Sequence, residues 1–138
     1  MSSWSINWLV LLLFLSLYFV VSVSGAYHTM THVKITNKIQ AGKDLIVHCK
    51  SKDDDLGVRV VPYGSNFEFK FHPSFFGVTL FFCGMQWDGS GAVFRFDIYD
   101  QKRDNPRCGK HCEWDIYPDG PCILNHDTFK IDKCYVWN

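Results

Sequence analysis

Beyond the first 26 residues, polar and apolar side chains alternate along most of the chain. Val33 and Ile35 alternate with Lys34 and Thr36, and Leu45, Val47 and Cys49 with Ile46 and His48. Phe67, Phe69 and Phe71 alternate with Glu68 and Lys70; Ala92, Phe94, Phe96 and Ile98 with Val93, Arg95, Asp97 and Tyr99; Cys112, Trp114 and Ile116 with Glu113, Asp115 and Tyr117. A period of two places one set of side chains on a core and the other in water, so these segments are expected to be half-buried strands. Thr79-Leu-Phe-Phe-Cys83 is apolar on both sides and rich in β-formers, which predicts a central strand covered on both faces. Turn signals separate the runs at Ala41-Gly42, Asp55-Leu56-Gly57, Tyr63 to Asn66, Asp88 to Gly91, Asp104-Asn105-Pro106 and Pro118 to Pro121. No window of ten or more residues carries a helical stripe after the first 26. The prediction is an all-β fold, a small antiparallel β-sandwich of seven to nine short strands.

The beginning of the chain obeys a different rule. Trp8 to Val23 is apolar except for Ser16 and Ser22, the first charged side chain is Lys34, and Val23-Ser-Gly-Ala26 offers small residues for cleavage. This pattern predicts a secretory signal over residues 1–26, a single domain over 27–138, and a secreted protein with no membrane insertion once the signal is removed.

Charge and cysteine content narrow the function. Fourteen basic and 14 acidic residues give a formal net charge of zero, so no global field recruits nucleic acid or anionic lipid. Twelve Phe, five Trp and six Tyr supply ample apolar surface for a core in so short a chain. Six cysteines, Cys49, Cys83, Cys108, Cys112, Cys122 and Cys134, all follow the signal. In an oxidising compartment an even number predicts three disulfides, each typically adding about 2–4 kcal/mol. The sequence leaves the pairing open, although Cys49 with Cys134 would close the longest loop and is the favoured bridge.

Candidate chemistry is sparse. Asp53, Asp54 and Asp55 offer calcium-like oxygens, but known calcium loops draw ligands from alternate positions, so a solvated turn closed by Gly57 is expected instead. His48 with Cys49, His111 with Cys112, and Cys108-x-x-x-Cys112 resemble zinc pairs; neighbours in a strand point apart, however, and disulfides claim the thiols. An even cysteine count leaves no spare nucleophile, and nothing in the spacing of His48, His72 and His111 supports an acid/base pair. No catalytic residue, metal or cofactor is therefore expected. Lys102 to Arg107 is the densest charge run and is expected to be a polar loop. Its Lys102, Arg103, Asp104 and Arg107, with Lys52, Asp53, Asp54 and Asp55 in the other charged segment, are the candidate partner contacts.

Six stretches of wording, taken in order, resemble the plant self-incompatibility S-protein homologue family. They begin with His48-Cys-Lys-Ser-Lys-Asp-Asp-Asp-Leu-Gly57 and Gly77-Val-Thr-Leu-Phe-Phe-Cys83. Phe96-Asp-Ile-Tyr99 with Arg103-Asp104, then Cys112-Glu-Trp114 and Gly120-Pro-Cys122, lead to the terminal Cys134-Tyr-Val-Trp-Asn138. Two departures stand out: Phe76 precedes Gly77 where an aromatic such as Trp often stands, and there is no glycosylation sequon. The resemblance implies a cysteine-bridged β-sandwich acting, as a monomer, as a non-enzymatic extracellular ligand of a plant cell-surface receptor. The main alternative is a secreted defence effector or small hydrolase.

Overall fold

The computed structural model describes residues 2–27 and 29–137. Met1, His28 and Asn138, the last residue of the terminal motif, lie outside them, as do the side chains of residues 2–4 and 21–27, which include the expected cleavage site. Helix α1 spans Ser2–Tyr27 and is followed by β1 (Thr31–Asn37), β2 (Leu45–Lys50), β3 (Asp55–Val61), β4 (Asn66–Phe71), β5 (Leu80–Gln86) and β6 (Phe94–Asp100). Helix α2 (Gln101–Cys108) precedes β7 (His111–Tyr117), β8 (Gly120–Leu124) and β9 (Ile131–Cys134). The strands form a five-stranded sheet in the order β4-β1-β7-β8-β9 and a four-stranded sheet in the order β3-β2-β5-β6. One ladder departs from the expected antiparallel pattern: β1 and β7 pair in parallel, with Val33 opposite Cys112 and Ile35 opposite Trp114. The whole second sheet and α2 intervene in sequence between them, which supplies the long connection that a parallel pair requires.

The alternation positions the core. Val33, Ile35, Leu45, Val47, Met85, Ile98, Trp114, Ile116 and Ile123 are fully buried between the sheets, with Phe69, Phe81 and Phe96 nearly so. Full burial of a side chain of this size typically stabilises by about 1.5–3 kcal/mol, so the inward set dominates the folding energy. Asn37 is one of three buried polar residues among those described, with Thr31 and Asp104. Its side chain donates to the carbonyls of Lys43 and Val61 at 2.8 and 2.9 Å and accepts the Ile39 N–H, tying three segments together at the rim of the core. Strand β5 differs from the expectation of two covered faces. It is an interior strand of its sheet, but Phe81, Cys83 and Met85 alone meet the core, while Leu80 and Phe82 face outward. The described side chains of α1, residues 5–20, are all exposed and contribute nothing to the core.

All six cysteines are bridged, as Cys49–Cys83, Cys108–Cys112 and Cys122–Cys134. The favoured Cys49–Cys134 bridge does not form, because β2 and β9 lie in different sheets. Cys49 instead sits directly opposite Cys83 in the β2–β5 ladder with the Cα atoms 4.0 Å apart, and Cys122 opposite Cys134 in the β8–β9 ladder at the same distance. Lateral register, not loop length, decides the pairing.

The charge run expected to be a loop folds into α2. Asp100 caps its start by accepting the Lys102 N–H, and Gly109, at φ 58°, closes its end by donating to Asn105. Asp104 is fully buried, accepting Arg103 Nε at 2.7 Å and the Asp100 N–H at 2.8 Å, and Arg103 also donates to the Asp97 carbonyl. The Arg103 guanidinium lies 5.2–5.5 Å from the ring centres of Phe96, Tyr135 and Trp114. Burial works against its charge, but the hydrogen bond to Asp104 and the Asp104 charge outweigh that and hold Arg103 above its ordinary pKa. This pair is part of the core.

Candidate partner-recognition surface

Two connections meet at one end of the sandwich. The first is the turn from β2 to β3. The turn lies at Ser51 to Asp54, where Ser51 donates its N–H to the Asp54 carbonyl at 2.7 Å and accepts the Asp54 N–H on its hydroxyl at 3.0 Å. The expected turn at Asp55-Leu56-Gly57 is instead the start of β3. Leu56 and Gly57 of β3 there oppose the single residue Cys49 of β2, and Gly57 adopts φ 75°, a bulge that a side chain would strain. Asp55 Oδ1 accepts the Gly57 N–H at 2.9 Å and lies 2.6 Å from His48 Nε2, and Lys50 Nζ is 3.9 Å from its other oxygen. The Gly57 hydrogen bond first, then His48, hold the Asp55 carboxyl below its ordinary pKa. Asp55 therefore clasps the bulge, while Lys52, Asp53 and Asp54 face water.

The second connection runs from β4 to β5. Ser74 anchors it, donating its N–H to Thr79 Oγ1 at 2.7 Å and accepting the N–H groups of Phe76 and Gly77 at 3.1 and 3.2 Å. Gln101, the first residue of α2, braces it from outside through bonds to Ser74 and Thr79 at 2.9–3.1 Å. This ordered loop holds Phe75, Phe76 and Val78 in solvent, 76%, 81% and 66% exposed, with the two rings edge to face at 5.5 Å. A cleft of about 590 Å³ separates it from the turn, with Lys52, Asp53 and Asp54 on one wall and His72, Val78 and Leu80 on the other.

The predicted contacts thus divide. Lys52, Asp53 and Asp54 line the cleft, and Lys102 is exposed beside Gln101. Arg103 and Asp104 turn inward, Arg107 pairs with Asp132 at 3.3 Å, and Asp55 is held by His48. The expectation that Asp104 stands on an exposed loop is corrected: it is fully buried and paired with Arg103, whose guanidinium lies against Phe96, Trp114 and Tyr135 from other segments. Sequence reasoning missed Phe75 and Val78 and treated Phe76 as core, although an aromatic pair outside any alternation, between Ser74 and Gly77, is a legible sign of an exposed tip.

The remaining candidate chemistry is dispersed. His48 and His111 lie on the outer faces of different sheets, and His111 stacks between His32 and His126 at 5.2 and 4.5 Å. Cys108 and Cys112 close on each other, and Cys49 is buried while His48 points outward. Among the described residues no group of three or more His, Cys, Asp or Glu is placed to hold a metal ion.

Two laterally bridged sheets, a buried Arg–Asp pair beneath a short helix, and an exposed apolar tip define a disulfide-held β-sandwich whose distinctive surface is made of loops. The chain belongs to the plant self-incompatibility protein S1 family, whose model matches residues 32–137. Relatives include S-protein homolog 5 of Arabidopsis thaliana, 49% identical over 78% of this chain and 77% of that protein. S-protein homolog 29 of the same plant is 40% identical over 88% and 90%, and self-incompatibility protein S1 of Papaver rhoeas 38% identical over 74% and 73%. A solved structure of plant self-incompatibility protein homologues shares the fold, with a TM-score of 0.54 and 19% identity over 80% of this chain and 96% of that one.

Proposed function

We propose that this protein is a non-enzymatic extracellular ligand read by a receptor protein on a plant cell surface. It is secreted, and in this reading residues 1–26 are removed and the sandwich acts as a monomer. The observation that carries the proposal is the Phe75-Phe76-Val78 tip, held in water by a hydrogen-bonded loop beside the charged Lys52 to Asp54 turn. Exposed apolar clusters rimmed by charge mark binding surfaces, and aromatic anchors carry much of the energy at such interfaces. The bracing by Gln101 and the nearby Cys49–Cys83 bridge lower the entropy cost of binding, because little remains to be ordered. The name of the Papaver rhoeas relative ties that protein to self-incompatibility. What carries over to this chain is the ligand class.

The test is to cross-link the labelled, secreted protein to intact plant cells and identify what it captures. Saturable capture of a plasma-membrane protein, lost on Phe75→Ser with Phe76→Ser, is the expected result. Turnover of RNA or a cell-wall polymer by the purified protein, with no saturable surface binding, would overturn the reading in favour of an enzyme.

A further inference from the structure

Strand β5 is apolar on both sides, yet only one side meets the core, and this mismatch draws attention to the outer face of the four-stranded sheet. Strand pairing places His48 beside Val58 on one flank and Gly84 on the other, with Arg95 beyond Gly84. The row across the sheet is therefore Val58, His48, Gly84, Arg95. Gly84 has no side chain, so the row has a gap between His48 and Arg95, narrowed on one side by Val93, whose Cγ1 would lie 3.2 Å from a Cβ placed at Gly84. Ile46, Phe82 and Val93 line the resulting groove, whose volume is about 350 Å³. Val58, Val60 and Val93 are 60–62% exposed, an unusual state for three branched aliphatic residues on one sheet face.

The fixed charges lining the groove, Lys50 and Arg95, are both positive. His48, Lys50 and Arg95 line it, and no carboxylate does. Asp55 stands at one rim but is engaged by His48 and Lys50. Arg95 lies over the Phe82 ring at 4.2 Å and has no carboxylate within ion-pair reach among the described residues. The groove is open along the sheet, so a small amphiphile would be covered on one side only. A protein segment brings apolar surface of its own.

We infer that this face docks an extended segment of another protein in which an acidic side chain is flanked, two residues to either side, by aliphatic ones. The carboxylate enters the gap over Gly84, between Arg95 and His48, and the aliphatic neighbours cover the exposed valines. Residues two apart in a strand share a face, which sets this spacing. An acid in the gap gains the Arg95 guanidinium, which has no carboxylate partner among the described residues, and a basic residue there meets like charge. The site is separate from the Phe75–Phe76 tip and does not rest on the receptor reading.

The test uses the secreted protein and three acetylated, amidated heptapeptides built on Ser-Val-Ser-X-Ser-Val-Ser. They carry Glu at X, Lys at X, or Glu at X with both Val replaced by Ser. Amide chemical shifts are followed by NMR. The inference expects saturable shifts at His48, Gly84 and Arg95 with the first peptide only, and a loss of affinity of about tenfold or more in Arg95→Glu. The same binding should survive in the Phe75→Ser, Phe76→Ser variant, which separates this result from the fate of the receptor proposal. Equal shifts with the Lys peptide, shifts that map elsewhere, or no saturable shift with the Glu peptide would overturn it. So would self-association abolished by Val58→Asp in sedimentation, which would assign the face to a second copy of the chain.

Discussion

The two segments densest in charge, Lys52 to Asp55 and Lys102 to Arg107, have opposite fates. The first stays in water around a hydrogen-bonded turn, and only Asp55 is committed, to the Gly57 bulge and to His48. The second folds into α2 and sends Arg103 and Asp104 beneath it, where Asp104 is fully buried and Arg103 faces three aromatic rings. The difference lies in what surrounds each segment. An ion pair in water is worth little, whereas a buried carboxylate that loses its partner is costly. Charge density alone therefore does not mark a contact surface. Charged residues stay in water in one place and hold the architecture together in the other.

The largest effect that can break this contrast is Asp104→Ala, which leaves Arg103 unpaired among aromatic rings. Chemical denaturation should show a loss of about 3–5 kcal/mol. Asp53→Ala and Asp54→Ala should fall within about 0.5 kcal/mol of the parent, and equal losses in the two segments would erase the distinction. Next in size is Gly57→Val, which forces a branched side chain into φ 75° and should cost about 1–3 kcal/mol in the same assay. Arg107→Ala removes a pair that is partly exposed on both sides, so about 0.2–1 kcal/mol is expected, diminishing at high salt.

The smallest effect is the titration of Asp55. Its carboxyl is held below the ordinary value of 3.8, so its contribution to stability is complete above that pH and is lost as pH falls through the folded-state value. Carboxyl NMR should give a midpoint below 3.8 that moves upward in His48→Ala, since one of the two main causes is then gone.

Much of the sandwich was legible because a period of two is imposed locally by the backbone: the alternating runs became strands with their expected faces inward, except in the run from Ala92, where the strand starts only at Phe94, Ala92 is exposed and Tyr99 is buried. Cysteine partners were not legible, because Cys49 meets Cys83 through strand register, a property of the assembled sheet. Helix α2 has only eight residues, too few for a 3.6-residue period to declare itself. Its signs were the caps, Asp100 and Gly109. The inward turn of the Arg103–Asp104 pair was hidden for the same reason as the bridges, since Phe96, Trp114 and Tyr135 reach Arg103 from elsewhere in the chain. At the recognition surface, the Lys52 to Asp54 turn could be read from charge, but its neighbour could not, because only folding brings the Phe75–Phe76 tip across the cleft from it.

The account stands most directly on one paired measurement: affinity for intact plant cells and thermal midpoint, taken together for Phe75→Ser with Phe76→Ser and for the parent protein. Both rings are more than three-quarters exposed and their loop is held by backbone and Ser74 contacts, so the midpoint should be nearly unchanged while cell binding falls by at least about tenfold. Unchanged binding, or a fall in binding matched by a collapse in stability, would contradict the claim that this tip is where the protein is recognised.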